Sequence, residues 1–333
     1  MNQELQTPVV LMVFNRPATT RIVFRAIAAA QPRTLLIVAD GPRRSRPADE
    51  RLCEEVRGIV SQVDWPCEVL TNFADSNLGC EERVASGITW AFSQVEEAII
   101  LEDDCLPNET FFRFCQELLE RYRGDSRVGM ISGINHVAPR LTTPYSYYFS
   151  RLPHIWGWAT WRSAWQRYDR SLSHWPAIKR DDVLREILSS ETEVKDRTRG
   201  FDAFHAGKGL DTWDAQWLYT VLINGMLSIV PSVNMVRNIG FGPDATHTVR
   251  DWSARMSELA AHPMDFPLRH PPYVVPFRSF DALDYQIGTS ATLVERVQAK
   301  LVSLRRHLGL GFGSEQGEAG QKIGDELPGE VLK

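Results

Sequence analysis

Residues 98–104 read AIILEDD, an apolar run that passes directly into three consecutive carboxylates. An apolar stretch of this length is typical of a strand that is buried on both faces, as in a parallel sheet. Neighbouring carboxylates repel one another, and a fold tolerates three of them mainly where a cation or hydrogen-bond donors offset their charge. The alternative is a solvated turn close to the N-terminus of the next helix. The buried strand before the triplet favours a functional site.

The segments around this strand predict a wound α/β fold. Predicted strands and helices alternate with short connections, which is the signature of a sheet with helices on both faces. The strands are expected at 9–14, 35–39, 68–73, 98–101 and 128–131, and the helices at 18–30, 49–63, 81–94 and 107–123. Past residue 133 the alternation stops, and a helix at 212–224 and a strand at 227–230 are the next elements that the sequence predicts.

The first four predicted strands each end in a polar or glycine-containing turn. These turns contain Asn15, Asp40, Asn77 and the acidic triplet. Because ligands bind beyond the carboxyl ends of the strands in wound sheets, the four turns are expected to meet in one crevice. Carboxylate oxygens suit Mg²⁺ or Mn²⁺, which keep several waters and bridge to substrate phosphates. The triplet therefore predicts a metal-assisted site for a phosphorylated ligand.

The predicted organisation is one catalytic domain, residues 1–285, followed by an amphipathic helix at 286–310 and a disordered tail at 311–333. The helix has a leucine-rich stripe beside three arginines and one lysine, and the tail is rich in glycine and glutamate. A leucine stripe usually packs on a core, but a basic amphipathic helix can also lie on an anionic membrane surface. Both alternatives stay open for this helix.

Composition excludes several classes of protein. The 42 acidic and 37 basic residues give a net charge of −5, which argues against a nucleic-acid-binding protein. The five cysteines include no C-x-x-C pair, so neither a disulfide framework nor a zinc cluster is expected. The N-terminus has no basic region or small-residue cleavage site, and no apolar run reaches the ~18 residues of a membrane span. We therefore expect a cytoplasmic protein, with the C-terminal helix as a candidate contact to the inner face of the membrane.

The chain resembles the GT-A glycosyltransferases of the bacterial group related to the inverting Golgi N-acetylglucosaminyltransferases. The stretch AIILEDDCLPNETFFRF (98–114) is the most specific match. Other segments match in the family's order over about residues 8–248: VVLMVFNRP, LLIVADGP, SNLGCEERVASGITWAF, HIWGWATWRSAW, DTWDAQW and NIGFGPDATHT. The resemblance implies transfer of a sugar from a nucleotide-diphosphate donor, expected to be UDP, to a saccharide or lipid-linked saccharide acceptor. Synthesis of surface polysaccharide or lipopolysaccharide is the expected setting.

The resemblance also implies roles for particular residues. Asp104 is expected to be the single direct protein ligand of a Mn²⁺ or Mg²⁺ ion. Arg16 and Asp40 are expected on the nucleoside, and Glu102 with Asp103 on uracil and ribose; Asn15 belongs to the same donor-binding set. Taken alone, Arg16 is equally consistent with a surface residue at a strand end, and Asp40 with a turn before Gly41.

Asp214, in TWDAQW (212–217), is the candidate general base. An inverting transfer requires one carboxylate that takes the proton of the acceptor hydroxyl as its oxygen attacks the anomeric carbon. Asp211 and Asp214 are also spaced like residues that begin a helix, so Asp214 is alternatively a helix cap, and Asp211 is the alternative base.

Two aromatic or glycine-rich segments complete the predicted site. In residues 240–247 the glycines are typical hinges for a loop that closes over a diphosphate, and His247 is expected to reach a phosphate or the metal, unless it is a surface residue. Trp156, Trp158, Trp161, Trp165 and Trp175 either stack on sugar faces or form the core beneath them.

Three rival functions are weaker. A nucleotidyltransferase that makes nucleotide sugars requires a glycine-rich basic loop after the first strand, where this chain has Asn15-Arg16-Pro17. A non-catalytic sugar-binding protein explains the tryptophans but not the acidic triplet. A metal-dependent phosphohydrolase usually gathers several His and Asp ligands, and the histidines here show no such clustering along the sequence.

Overall fold

A computed structural model describes residues 5–138, 140–240 and 259–289. The chain divides into two compact units, residues 1–289 and 290–333, and the second lies outside the described residues. Most of the predicted helix at 286–310 and all of the predicted tail at 311–333 are therefore not described. Among the described residues, no helix is long and apolar enough to cross a membrane.

An eight-stranded mixed sheet forms the centre of residues 1–289, in the order β3-β2-β1-β4-β8-β6-β9-β7. The first four strands are parallel, and β8 runs antiparallel to both β4 and β6. The strands are β1 (Val9–Val13), β2 (Thr34–Ala39), β3 (Glu68–Phe73), β4 (Glu97–Glu102), β6 (Val128–Ser132), β7 (Tyr147–Ser150), β8 (Trp158–Trp161) and β9 (Leu227–Pro231). A separate ribbon pairs β5 (Cys105–Pro107) with β10 (Val236–Asn238).

Helices cover both faces of this sheet. They are α1 (Pro17–Ala30), α2 (Ala48–Val60), α3 (Cys80–Gln94), α4 (Thr110–Tyr122), α5 (Arg162–Trp165), α6 (Trp175–Arg180), α7 (Val183–Ile187), α8 (Glu191–His205), α9 (Asp214–Ile223) and α10 (Arg278–Thr289). Helix α10 runs through residue 285, at which the predicted catalytic domain ends.

Strand β1 shows why both faces are needed. Val9, Leu11 and Val13 belong to the core that contains α1, α2 and α4, whereas Val10 and Met12 belong to the opposite core with α3 and α9. Successive side chains of a strand point to opposite faces, so a continuous apolar run requires a cover on each side. The prediction of an α/β fold with a wound mixed sheet and helices on both faces is confirmed.

The predicted helix at 107–123 begins too early. Residues 105–107 form β5 instead, with Cys105 opposite Asn238 and Pro107 opposite Val236. The side chain of Asn108 then accepts a hydrogen bond from the Thr110 amide nitrogen at 3.1 Å, and α4 begins at Thr110. A pairing partner more than a hundred positions away along the chain decides this boundary, and no local pattern signals it.

Four of the five tryptophans singled out from the sequence belong to the core, and one lines a cavity. Trp158 stacks on Trp213 with ring centroids 5.6 Å apart, and it also contacts Trp165 and Trp217 in the core on the α3 face. Trp158, Trp161, Trp165 and Trp175 are all buried. Trp156 is half-buried and lines a cavity at the edge of the sheet, so it is the member of the predicted group that a ligand can reach.

Candidate active site

A cavity of about 590 Å³ lies at the carboxyl ends of β1, β2 and β4. It brings together residues from all four predicted turns, including Arg16, Asp40, Asn77 and the triplet Glu102-Asp103-Asp104. Residues that the chain supplies much later also line it, among them Trp156, Asp214 and Gly240. The parallel register of the first four strands places these turns at one edge.

Arg16 joins the two aspartates of the triplet. Its guanidinium lies 2.5 Å from Asp103 Oδ1 and 2.7 Å from Asp104 Oδ2, and the Phe14 amide nitrogen donates to Asp103 Oδ2 at 3.3 Å. Arg16 is also the N-cap residue of α1, and Pro17 is the first residue of that helix. The turn after β1 therefore supplies a cation to the carboxylates that end β4.

Two acids of the triplet, Glu102 and Asp103, are costly to ionise. Burial raises the pKa of Glu102, and the nearby charge of Asp104 raises it further against the opposing effect of Arg16. Burial likewise raises the pKa of Asp103, although Arg16 opposes the shift. The pKa of Arg16 is itself raised, because the attraction of Asp103 and Asp104 outweighs its burial. One guanidinium thus only partly compensates three neighbouring carboxyl groups.

The β5–β10 ribbon encloses Asp104 from the other side. The Ile239 amide nitrogen donates to the Asp104 carbonyl oxygen at 2.8 Å, and the Gly240 amide nitrogen donates to Asn238 Oδ1 at 2.8 Å. A Cβ atom at Gly240 would collide with Asp104 Oδ2 and would lie 2.8 Å from the Arg16 guanidinium. Glycine is therefore required where this backbone approaches the last carboxylate of the triplet.

Asp40 braces the turns that follow β2 and β3. Asp40 Oδ1 accepts hydrogen bonds from the amide nitrogens of Gly41 and Leu78, and Oδ2 accepts one from Asn77 Nδ2 at 2.7 Å. Burial raises the pKa of Asp40 against these hydrogen bonds. Asn15 lies elsewhere: its side chain donates to Asp49 Oδ1 at 2.8 Å, and it is not among the residues that line the cavity.

Two arginines in this part of the cavity were not singled out from the sequence. Arg43 lies over the Phe14 ring and pairs with Asp49 at 2.5 Å. Arg83 is buried and donates to the Asn72 carbonyl oxygen and to Asn72 Oδ1. Burial lowers the pKa of Arg83 despite the attraction of Asp40. Arg83 lies on α3 among ordinary helix residues, so only the fold shows that it faces the cavity.

The structure separates the two candidate bases. Asp211 Oδ2 accepts from the Cys80 amide nitrogen at 3.1 Å, and Oδ1 accepts from the Glu81 amide nitrogen at 2.8 Å. Asp211 therefore caps the start of α3, which follows Gly79 in a left-handed conformation (φ 83°). Asp214 is the first residue of α9, accepts a hydrogen bond from the Thr212 hydroxyl, and faces the cavity.

A second cavity of about 290 Å³ shares Asp214, His136 and His154 with the first. His136 and His154 also lie against the carboxylate of Asp284 on α10. Burial by itself raises the pKa of Asp284. The imidazoles of His154 and His136 outweigh this effect and hold the pKa well below its usual range. Burial lowers the pKa of His154, and Asp284 outweighs that effect, so the pKa of His154 is raised. Two of the eight histidines, His136 and His154, therefore lie together in space.

The charge of the main cavity fits a divalent cation. Among the described residues, three arginines line it against six carboxylates, which are Asp40, Glu102, Asp103, Asp104, Asp211 and Asp214. A diphosphate would add further negative charge to this surface. Oxygen-rich sites with an excess of negative charge suit Mg²⁺ or Mn²⁺. Asp104 is buried in the wall of this cavity, where its Oδ2 pairs with Arg16. His247 lies outside the described residues.

Comparisons with known proteins identify no family. No protein-family model matches the chain, and no curated protein matches it. The solved structures similar to it include that of S. aureus TarS 1-349, at 10% sequence identity and a TM-score of 0.38. The similarity covers 69% of this chain and 59% of that chain. A TM-score this low supports no argument about function, which has to come from the geometry of the site.

Proposed function

We propose that this chain is a metal-dependent, inverting GT-A glycosyltransferase. It takes a sugar from a nucleotide-diphosphate donor, with UDP as the nucleotide, and passes it to a saccharide or lipid-linked saccharide during synthesis of a surface polysaccharide. The observation that carries the proposal is the cavity at the strand ends, which is lined both by the acidic triplet and by a separate carboxylate, that of Asp214.

The two ends of the cavity bind different parts of the donor. The nucleoside binds at the end formed by Arg43, Asp40 and Asn77. This end offers the guanidinium of Arg43, the apolar ring of Phe14 beside it, and hydrogen-bonding groups. Glu102 and Asp103 present carboxylates beside it for ribose and base. A Mn²⁺ or Mg²⁺ ion held by Asp104, when bound, supplies positive charge to the diphosphate that leaves.

Asp214 carries out the proton transfer. The acceptor hydroxyl oxygen attacks the anomeric carbon, the bond from that carbon to the diphosphate oxygen breaks, and the diphosphate leaves with the electron pair. The carboxylate of Asp214 takes the hydroxyl proton. Attack from the face opposite the leaving group inverts the anomeric configuration and requires no enzyme nucleophile. The Thr212 hydroxyl donates to Asp214 and so holds its carboxylate in place.

Trp156 is the aromatic group that we assign to the sugars. It is half-buried in the cavity wall, and its ring lies 6.3 Å from that of His136. Aromatic rings offer a broad apolar contact to the C–H face of a sugar ring.

A screen of nucleotides and nucleotide sugars with Mn²⁺ or Mg²⁺ tests the proposed function. A ligand at about one hundred times its Kd stabilises the folded protein by about 2.7 kcal/mol, which raises the melting temperature by several degrees. We expect such a rise with UDP or a UDP-sugar only when the metal is present, together with slow, metal-dependent hydrolysis of the donor.

Other outcomes would identify the rivals. A non-catalytic sugar-binding protein would respond to free saccharides and be indifferent to nucleotides, and a nucleotidyltransferase would respond to a nucleoside triphosphate. The proposal is wrong if no nucleoside diphosphate or nucleotide sugar raises the melting temperature with either metal.

A further inference from the structure

A cluster of three metal-type ligands lies outside the acidic triplet. His136 follows β6, His154 follows β7, and Asp284 lies in α10, so three distant segments of the chain meet there. Asp284 Oδ1 is 3.1 Å from His136 Nδ1, and Asp284 Oδ2 is 3.2 Å from His154 Nε2. One donor atom from each residue lies within 4.8 Å of the others. We propose that these residues bind a transition-metal ion, with Zn²⁺ as the best match.

The spacing of the donor atoms suits zinc. Zinc binds imidazole nitrogen and carboxylate oxygen at about 2.0–2.2 Å, so two ligands at the tetrahedral angle are roughly 3.3–3.5 Å apart. The measured separations of 3.1 and 3.2 Å run to the two different oxygens of Asp284, and one donor atom from each of the three residues lies within 4.8 Å of the others. Rotation of the side chains has to bring one carboxylate oxygen close to both imidazoles to admit the ion.

The composition of the cluster also matches a zinc site. Two imidazoles and one carboxylate are borderline ligands that favour zinc and its first-row neighbours over Mg²⁺ or Ca²⁺. His136 and His154 line the main cavity as well as the second one. Three protein ligands with a side open to a cavity leave a fourth position for an oxygen ligand, either water or a sugar hydroxyl.

Attachment of α10 does not depend on Asp284 alone. Asp281, one turn earlier, accepts hydrogen bonds from Ser150 Oγ at 2.7 Å and from Arg151 Nε at 3.1 Å. Phe280 packs on Tyr148 with ring centroids 4.5 Å apart. These contacts hold the helix against β7 whether or not the His–Asp pairs form. The three ligands are therefore available to a metal without loss of the helix.

Titration with Zn²⁺ alone tests the site. Untagged protein is stripped with a chelator and then titrated in competition with a chromophoric zinc chelator. We expect the wild type to bind one tight equivalent. His154→Gln and Asp284→Asn remove a direct ligand, so each is expected to weaken zinc binding by more than the ~10–100-fold that loss of an outer-shell partner costs. His270→Gln is the matched control, because His270 contacts Tyr147 and Glu117 outside the cluster, and it should bind zinc like the wild type.

The opposite results overturn the proposal. Either the wild type binds no tight equivalent of zinc, or His154→Gln and Asp284→Asn bind it as the wild type does. If circular dichroism shows that a variant does not fold, Co²⁺ is added to the wild type instead. Cobalt bound in a four-coordinate His/His/Asp site gives intense visible absorption, which supports the proposal. Absence of this absorption overturns it. The test uses no nucleotide, and Asp104→Ala should keep its zinc equivalent, so its failure is distinct from failure of the transferase proposal.

Discussion

Asp214→Asn is expected to lower the turnover of sugar transfer by about 10²–10⁴-fold, the usual contribution of a positioned general base. The amide keeps the shape of the side chain and can still accept a hydrogen bond from Thr212, but it cannot accept the acceptor's proton. The affinity for the donor should hardly change, because the role proposed for Asp214 is toward the acceptor hydroxyl and not toward the donor. The measurement is steady-state kinetics with the donor that the nucleotide screen selects, together with a donor-binding titration.

Asp211→Asn is the matched control for this experiment. Asp211 caps α3 through two backbone amides, so its change should lower the melting temperature and leave turnover within a few-fold of the wild type. Near-normal turnover in Asp214→Asn would remove the residue from the role of base. The same loss in Asp211→Asn, with Asp214→Asn active, would transfer the role to Asp211.

Asp104→Ala should abolish metal-dependent binding of the donor. The variant loses the carboxylate that we assign to the metal, and with it the positive charge that offsets the diphosphate in a cavity already rich in carboxylates. The fold should persist, because Arg16 retains its ion pair with Asp103 at 2.5 Å. Calorimetric titration of UDP with and without Mn²⁺ measures the effect.

Asp181→Ala is the control for charge alone. Asp181 is exposed and pairs only with its neighbour Arg180 among the contacts that the structure describes, so the variant should bind the Mn²⁺–nucleotide complex as the wild type does. Wild-type affinity for that complex in Asp104→Ala would show that the metal is held elsewhere.

The sheet was predictable because local sequence patterns indicate its first four strands. Strands β1, β2 and β4 are continuous apolar runs, since each is covered on both faces, and each ends in a polar turn. Strands β7 and β8 gave no such signal. They are four residues each, aromatic, and paired with strands far away along the chain.

The part of the site at the strand ends was predictable for the same reason, whereas the contacts made by residues from later segments were not. The order of parallel strands brings the turn at Asp40 to the turn at Asn77, and the two side chains meet as expected of neighbouring strand ends. The cluster of His136, His154 and Asp284 depends on where α10 docks, and no spacing along the chain reveals it. The different roles of Asp211 and Asp214 likewise follow from the position of α3, which lies over a hundred residues earlier.

The central claim is that the triplet end of the cavity holds a metal-bound nucleoside diphosphate. Crystals soaked with UDP and Mn²⁺, with data collected at the manganese absorption edge, test it most directly. We expect one anomalous peak within coordination distance of the Asp104 carboxylate, with the diphosphate on the same ion and the uridine toward Asp40 and Arg43. Manganese and nucleotide bound at another place, or a cavity that stays free of nucleotide at saturating UDP and Mn²⁺, would contradict it.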